Sequence, residues 1–334
     1  MAASLRSSKG APFARILGTG GYRPQRVVPN EEILKHIDSS DEWIRSRSGI
    51  VTRHWANDDE TVAEMSLAAA GKALADAGIG PEQVGAVVVA TVSHFMQTPS
   101  VATEIAHRLG TGKAAAFDIS AACAGFGYGL AVAKGMVVEG SAEYVVVIGV
   151  ERLSELTDRE DRSTAFLFGD GAGAVVIGPS DVPAMGPTVW GSEGDKADVI
   201  EQTTPWTAYR DGEVARFPAL RQEGQTVFRW AVFEMAKVAA EALDAAGVSP
   251  EQLDVFIPHQ ANMRIIDSLA KTLKLPDHVA IARDVETTGN TSAASIPLAM
   301  ERMLATGQAK SGDTALLIGF GAGLVYAATV VTLP

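Results

Sequence analysis

The chain reads as an α/β protein built from two similar halves packed together, and three observations lead there. Residues 72–90, KALADAGIGPEQVGAVVVA, and 241–259, EALDAAGVSPEQLDVFIPH, are identical at seven of nineteen positions without a gap: Ala73/Ala242, Leu74/Leu243, Ala77/Ala246, Gly78/Gly247, Pro81/Pro250, Glu82/Glu251 and Gln83/Gln252. The echo recurs in SAEYVVVIGV (141–150) and SGDTALLIGF (311–320), at an offset of 170 against 169 for the first pair, which is the mark of an internal duplication. Runs such as AVVVATV, YVVVIGV, GAVVIG and TALLIGF are apolar throughout, which suits sheets covered on both faces, and helical stretches separate them.

Taken in order, TVAEMSLAAAGKALADAG (61–78) reads as a helix closing on glycine. A PEQ turn and the strand AVVVATV (86–92) follow it. AAAFDIS (114–120) approaches as a strand, AGFGYGLAVAKGMVVEG (124–140) reads as a helix, and YVVVIGV and GAVVIG complete the first half near Gly178. Residues 180–222 are polar and punctuated by Pro and Gly, a long insertion of the kind that is often functional in a compact protein. VFRWAVFEMAKVAAEALDAAG (227–247), the second PEQ turn, LDVFIP, a helix in QANMRIIDSLAKTLK, the helix after TTGNTSAAS and the strand TALLIGF make the second half. The halves divide as 1–179 and 180–334.

At 334 residues, with 47% apolar and 20% charged residues, the chain holds a large core and exceeds a usual single domain. One cysteine excludes an intramolecular disulfide or a multi-cysteine metal site and points to a reducing compartment. The start, MAASLRSSKGAPFARILG, has no apolar run of signal-peptide length, and no run of membrane-spanning length follows, so the expectation is a soluble, cytoplasmic protein. A net charge of −12 argues against nucleic acid as a partner; an acidic partner would need a local basic patch.

That one thiol, Cys123 in DISAACAGFGYGL, falls at a strand-to-helix corner among small neighbours. A helix N-terminus favours the thiolate and lowers the pKa, which reads as a nucleophile; an inert buried cysteine is the alternative. Of six histidines, His36, His54, His107 and His278 lie in polar or charged segments and His94 is weak. His259 ends the apolar run LDVFIP, opens into a helix and closes the duplicated stretch. Asn290 stands at another loop-to-helix junction, where a helix cap is the competing reading. GFGAG (319–323) follows a strand and could aim backbone N–H groups at an oxyanion.

Together, CAGFGYGL, PHQANMRII, GNTSAASIPLA and GFGAGL resemble the β-ketoacyl-acyl-carrier-protein synthase III family, and the resemblance runs from GTGGYRPQRVVPN through DEWIRSRSGI and FLFGDGAGAVVIG to YAATVV. It implies the thiolase fold, two duplicated βαβαβαββ halves in a five-layered αβαβα sandwich, a homodimer, and no cofactor or metal. It further implies an acyltransferase of fatty-acid and lipid metabolism, a ketosynthase that initiates synthesis. Cys123 would take an acyl group from acyl-CoA. Malonyl-acyl carrier protein would then lose CO2, with His259 and Asn290 donating hydrogen bonds to the thioester oxygen, to give a 3-oxoacyl-carrier protein. The resemblance adds an oxyanion hole from the N–H groups of Cys123 and Ala322, with Phe320 beside the thiol. Trp43 and Arg47 would hold the nucleotide end of CoA, and Gly224 and Asn262 would line the pantetheine channel.

Departures from the family pattern narrow the reading. Glu155 stands where an arginine completes the adenine sandwich, so either Arg152 or Arg159 substitutes or adenine is held on one face; position 225 is Gln in place of Asn. Thr98 aligns with a position that reaches across the dimer to close the partner's acyl pocket, and a threonine there leaves room for branched or longer primers. Arg264, Lys271 and Lys274 fall on a common side of one helix and, with Arg229, offer an acidic carrier protein a docking patch, against the alternative of a solvated face. A priming ketosynthase of polyketide assembly is the runner-up. Outside that class stand a cysteine acyl-thioester hydrolase using Cys123 and His259, and a non-catalytic carrier-binding scaffold.

Overall fold

A computed structural model of the chain describes residues 5–334; residues 1–4, the opening of the stretch MAASLRSSKGAPFARILG, lie outside the described residues. The first half supplies strands β1 (Phe13–Tyr22), β2 (Val84–Ala90), β3 (Ala115–Ile119), β4 (Tyr144–Arg152) and β5 (Asp170–Ser180), and the second supplies β6 (Val189–Ser192), β7 (Val255–Pro258), β8 (Ala280–Ile281), β9 (Thr314–Gly321) and β10 (Val325–Thr332). The two sheets have one topology. Their orders are β1-β5-β4-β2-β3 and β6-β10-β9-β7-β8, each with the first two pairings antiparallel and the last two parallel.

Helices α1 (Val62–Ala77) and α2 (Val101–Leu109) cover the outer face of the first sheet, and α4 (Gly224–Ala246) and α5 (Met263–Thr272) that of the second. Between the sheets lie α3 (Gly125–Glu139) and α6 (Ser295–Ala305), so the layers alternate helix and strand five deep. The all-apolar strands follow from this sandwich, because alternate side chains leave a strand on opposite faces. Val145 and Val147 of β4 face the central helices while Val146, Ile148 and Val150 face α1, and in β9 Ala315 and Leu317 point inward and Leu316 and Ile318 outward.

The duplicated stretch owes its identities to matching local chemistry. α1 and α4 both end on a left-handed glycine, Gly78 (φ 66°) and Gly247 (φ 68°), where the absent Cβ removes the steric cost. In the PEQ turns that follow, Gln83 accepts a hydrogen bond from the Gly80 N–H at 2.9 Å, and Gln252 accepts one from the Ser249 N–H at the same distance. The central helices repeat as well. Each is entered through a short 3-10 turn, Ala122–Ala124 or Ser292–Ala294, whose first residue has positive φ: Ala122 at 42° and Ser292 at 46°. A non-glycine residue held there is strained, and strain of this kind gathers at functional sites.

Sequence reading missed the edge strands β1 and β6. The 180–222 stretch, read as insertion alone, contributes β6 and then a short ribbon of Ile200–Gln202 paired with Leu220–Gln222, with a helix Trp206–Arg210 between its strands. Among the described residues no helix is long and apolar enough to cross a membrane.

Candidate active site

Three corners of the sandwich converge on one cavity of about 830 Å³. Cys123 reaches it from the turn between β3 and α3, His259 from the end of β7, and Asn290 from the segment before α6. Phe320, Gly321 and Ala322 at the end of β9 close the side facing Cys123. The 180–222 stretch forms another wall through Ile200, Gln202, Trp206 and Leu220, so this stretch does border the site.

Each polar group has one end fastened and one end free. His259 is 2% exposed; its Nδ1 lies 2.7 Å from the Ser295 hydroxyl, and its ring meets Phe320 edge to face at 5.4 Å. Burial pulls the imidazole down to about 3, so it is neutral across the physiological range. Asn290 uses its Oδ1 to accept from the Ser292 N–H at 2.9 Å, an Asx turn rather than a helix cap, and its Nδ2 has no protein partner among the described residues while the residue lines the cavity. Its backbone is clamped to the FLFGDG segment: the Asn290 N–H donates to Leu167 O at 2.9 Å and the Gly169 N–H to Asn290 O at 3.0 Å.

Behind that clamp stands Arg53, fully buried, donating to Val28 O, Asn30 Oδ1 and Phe166 O. Gly289, at φ 75°, touches it, since a Cβ there would stand 2.8 Å from Arg53 Cβ. Sequence reasoning missed Arg53, as it missed Ser295 and the buried carboxyl Glu151. Oε2 of Glu151 accepts from Val92 N, Ser93 Oγ and Thr91 Oγ1, while its Oε1 has no partner.

The thiol departs from expectation. A helix N-terminus should lower its pKa, but burial dominates and pushes Cys123 up to about 12; Glu151, by its charge, pushes the same way, while a contact with Ser292 opposes them. The helix N-terminus beneath the thiol favours negative charge only as that charge develops.

The outlying residues are placed as follows. Trp43, in the helix Asp41–Ser48, packs edge to face on Phe166 at 5.4 Å, with the Arg47 guanidinium 5.9 Å from its ring. Neither Arg152 nor Arg159 lies at Trp43: Arg152 pairs with Glu155 and Asp58, and Arg159 lies over Trp55. The guanidinium over Trp43, at 4.9 Å, is that of Arg162. Asn262 caps α5 by accepting from Arg264 N and donates to Arg47 O, so its polar atoms serve structure. Gly224 opens α4 with open space where a Cβ would go. Thr98 is exposed and flanked by exposed Met96.

Arg229, Arg264 and Lys271 are exposed, and Arg264 lies 5.0 Å over the Phe228 ring. Lys274 does not share the helix of Arg264 and Lys271, because α5 ends at Thr272 and Lys274 takes a left-handed conformation (φ 54°) beyond it.

Comparison with known proteins gives one consistent result. Family models described as 3-oxoacyl-[acyl-carrier-protein] synthase III and its C-terminal part match residues 117–194 and 243–333. The chain is 79% identical to the β-ketoacyl-[acyl-carrier-protein] synthase III of Streptomyces glaucescens, with 99% of each chain covered. It is 54% identical to the mycobacterial β-ketoacyl-[acyl-carrier-protein] synthase III of Mycobacterium avium over 99% of this chain and 98% of the relative. Among solved structures, the priming β-ketosynthase of the R1128 polyketide pathway superposes with a TM-score of 0.97 at 46% identity, over 99% of both chains. The 3-oxoacyl-[acyl-carrier-protein] synthase III of Aquifex aeolicus gives 0.87 at 39%, over 96% of this chain and 99% of that one.

Proposed function

The chain belongs to the 3-oxoacyl-[acyl-carrier-protein] synthase III family, an acyltransferase-type condensing enzyme that initiates fatty-acid synthesis, and from that membership we propose how its own residues carry the reaction. The substrates are an acyl-CoA primer and malonyl-acyl carrier protein, and no cofactor takes part. Cys123 Sγ attacks the primer thioester; the S–C bond to CoA breaks, and the thiol proton passes in net terms to the CoA sulfur. Covalent capture splits one difficult reaction into two easier ones.

Malonyl-carrier protein then loses CO2, the carbanion attacks the acyl-cysteine carbonyl to form the new C–C bond, and the C–S bond to Cys123 breaks, the thiolate taking a proton from solvent to restore the thiol. His259 and the free Nδ2 of Asn290 donate to the thioester oxygen on which charge builds, and each such donor in a preorganised site is worth about 2.7–4 kcal/mol. The N–H groups of Cys123 and Ala322 serve the tetrahedral intermediate. The observation that carries this reading is the convergence of Cys123, His259 and Asn290, from three different corners, on the walls of one cavity.

The halves divide as 1–179 and 180–334, the enzyme is a cytoplasmic homodimer, and Thr98, beside the exposed apolar Phe95 and Met96, reaches the partner's acyl pocket. A threonine there admits branched or longer primers. Trp43 and Arg47 hold the CoA nucleotide, joined by Arg162. Gly224, Asn262 and Phe320 border the pantetheine arm, and Arg229, Arg264, Lys271 and Lys274 receive the acidic carrier protein.

The test is intact-protein mass after incubation with a panel of acyl-CoAs, beside Cys123→Ala. One acyl adduct, absent from the variant, is the expected result, and its ranking over the panel reads out the pocket. CoA release without an adduct would point to a hydrolase, and neither adduct nor release to a carrier-binding scaffold. The likeness to the priming ketosynthase supports a second reading, that the product feeds a polyketide. Turnover with carrier proteins of the two pathways, compared side by side, separates them.

A further inference from the structure

We propose that Ser295 fixes His259 in the tautomer that carries its proton on Nε2, making Ser295 a positioning residue for the carbon–carbon bond-forming half of the reaction. The proposal rests on the function argued above for its consequence, though not for its geometry. The Ser295 hydroxyl is fully buried, lies 2.7 Å from His259 Nδ1, and has no other hydrogen-bonding partner among the described residues.

A hydroxyl in that position has two options. If it donates to Nδ1, both buried groups are satisfied and the ring proton must sit on Nε2. If it accepts from an Nδ1–H, its own hydrogen is left buried without an acceptor, which is the costly alternative. Burial keeps the ring neutral, so the doubly protonated form that would donate from both nitrogens is not populated near neutrality. With Nδ1 occupied, Nε2–H is the ring's one remaining donor. It shares the cavity with Asn290, whose Oδ1 is likewise occupied and whose Nδ2 is likewise without a protein partner among the described residues. The site thus presents two neutral N–H donors and no competing acceptor from either group.

The duplication gives this pair a counterpart that lacks the chemistry. Offsets of 169 and 170 map His259 onto Ala90 and Ser295 onto Gly125, the residues at the end of β2 and the start of α3. Those two also meet, since a Cβ built on Gly125 would stand 2.9 Å from Ala90 Cβ. Strand end and helix start therefore adjoin in both halves as a consequence of the fold. In the second half alone the adjoining side chains form an imidazole–hydroxyl pair. In the first half the nucleophile sits two residues before the helix-start position, at Cys123, and its counterpart across the duplication is Ala293.

The experiment is long-range 1H–15N correlation spectroscopy on the full-length protein labelled with 15N-histidine, with the His259 signals assigned by their loss in His259→Gln. The wild type is expected to show Nε2–H. Ser295→Ala should show mixed tautomers and lose condensation with malonyl-carrier protein by about tenfold or more, towards the 10²–10³ of a deleted donor. Formation of the acyl adduct at Cys123 should stay within about twofold, since that step does not use the His259 donor. Ser295→Thr, which keeps a hydroxyl, should retain both tautomer and condensation.

An Nδ1–H tautomer in the wild type would overturn the proposal, and that measurement stands even if Ser295→Ala does not fold. A variant in which adduct formation and condensation fall together would reduce Ser295 to a structural role and overturn it equally. Failure of the wild type to form any acyl adduct would instead sink the functional reading and leave the tautomer result intact.

Discussion

Gly321 lies against Cys123: a Cβ built on Gly321 would stand 2.8 Å from both Cβ and Sγ of the cysteine and 3.1 Å from its backbone nitrogen. Sγ could swing about χ1, but Cβ and the backbone nitrogen cannot, so the contact is not relieved without moving the nucleophile or the turn that faces it. Gly321→Ala should therefore slow acylation of Cys123 by about 10²-fold, the scale of a misplacement near 1 Å. Stability should fall by about 1–3 kcal/mol from overpacking. Adduct formation followed by intact mass, with a thermal melt beside it, checks both, and a variant that acylates at the wild-type rate would show that the turn is not held where it stands.

The Arg162 guanidinium lies 4.9 Å over the Trp43 ring. If it holds the nucleotide end of CoA, Arg162→Ala should raise KM for acyl-CoA about 3- to 10-fold, in line with a cation–π contact of roughly 0.5–1.5 kcal/mol. The KM for an acyl-pantetheine, which lacks the nucleotide, should not move. Arg159→Ala, removing the guanidinium over Trp55, should leave both substrates unaffected.

Burial shifts His259, Glu151 and Asp170, and their effects on stability oppose one another. His259 falls from 6.5 to about 3, so below pH 6.5 the unfolded chain takes up a proton that the folded one refuses, and stability drops as pH falls through that window. Glu151 rises from 4.5 to about 7 and Asp170 from 3.8 to about 6, so the folded state holds protons that the unfolded state releases. Their contribution is full below about pH 4 and is lost as pH rises towards 7. Melting temperatures between pH 4 and 8 should thus change slope in His259→Gln, which removes the acid-side loss, and in the opposite sense in Glu151→Gln, which removes part of the loss on raising pH. The condensation rate itself should show no acid limb from His259 above pH 5, because the ring is already neutral there.

Much of this architecture was legible because the duplication is written in residues that act locally. Gly78 and Gly247 close their helices, and Gln83 and Gln252 tie the turns after them, so the same demand preserved the same residues in both halves. The corners carrying Cys123, His259 and Asn290 were legible for a related reason, since each is a strand or loop opening into a helix. What sequence could not show depends on burial and on distant partners. Desolvation pushes the thiol up against the pull of the helix terminus, and burial is a property of the whole sandwich. Ser295 and His259 are 36 residues apart, and the bond between them exists only once β7 and α6 adjoin. Arg162 sits in the charged run DREDRS, which by itself reads as a solvated surface, and Val189–Ser192 is too short and too polar to stand out as an edge strand.

The basic patch divides into residues of unequal promise. Arg264 lies between Ala261 and Ile265 in the chain, both of which line the cavity, and its guanidinium lies over Phe228. Lys274 lies beyond the helix end in a left-handed turn, and its distance from the mouth along α5 leaves it little hold on a carrier docked there. Arg264→Glu should raise KM for malonyl-carrier protein about tenfold at low salt, with the effect shrinking as ionic strength rises, while acyl-CoA transfer to Cys123 is spared. Lys274→Glu should change it by no more than about twofold, the scale of an exposed charge. Equal losses from the two reversals would mean that the carrier feels the net field of this face rather than a contact at Arg264, and equal loss of acyl-CoA transfer in Arg264→Glu would mean that the arginine supports the channel and docks nothing.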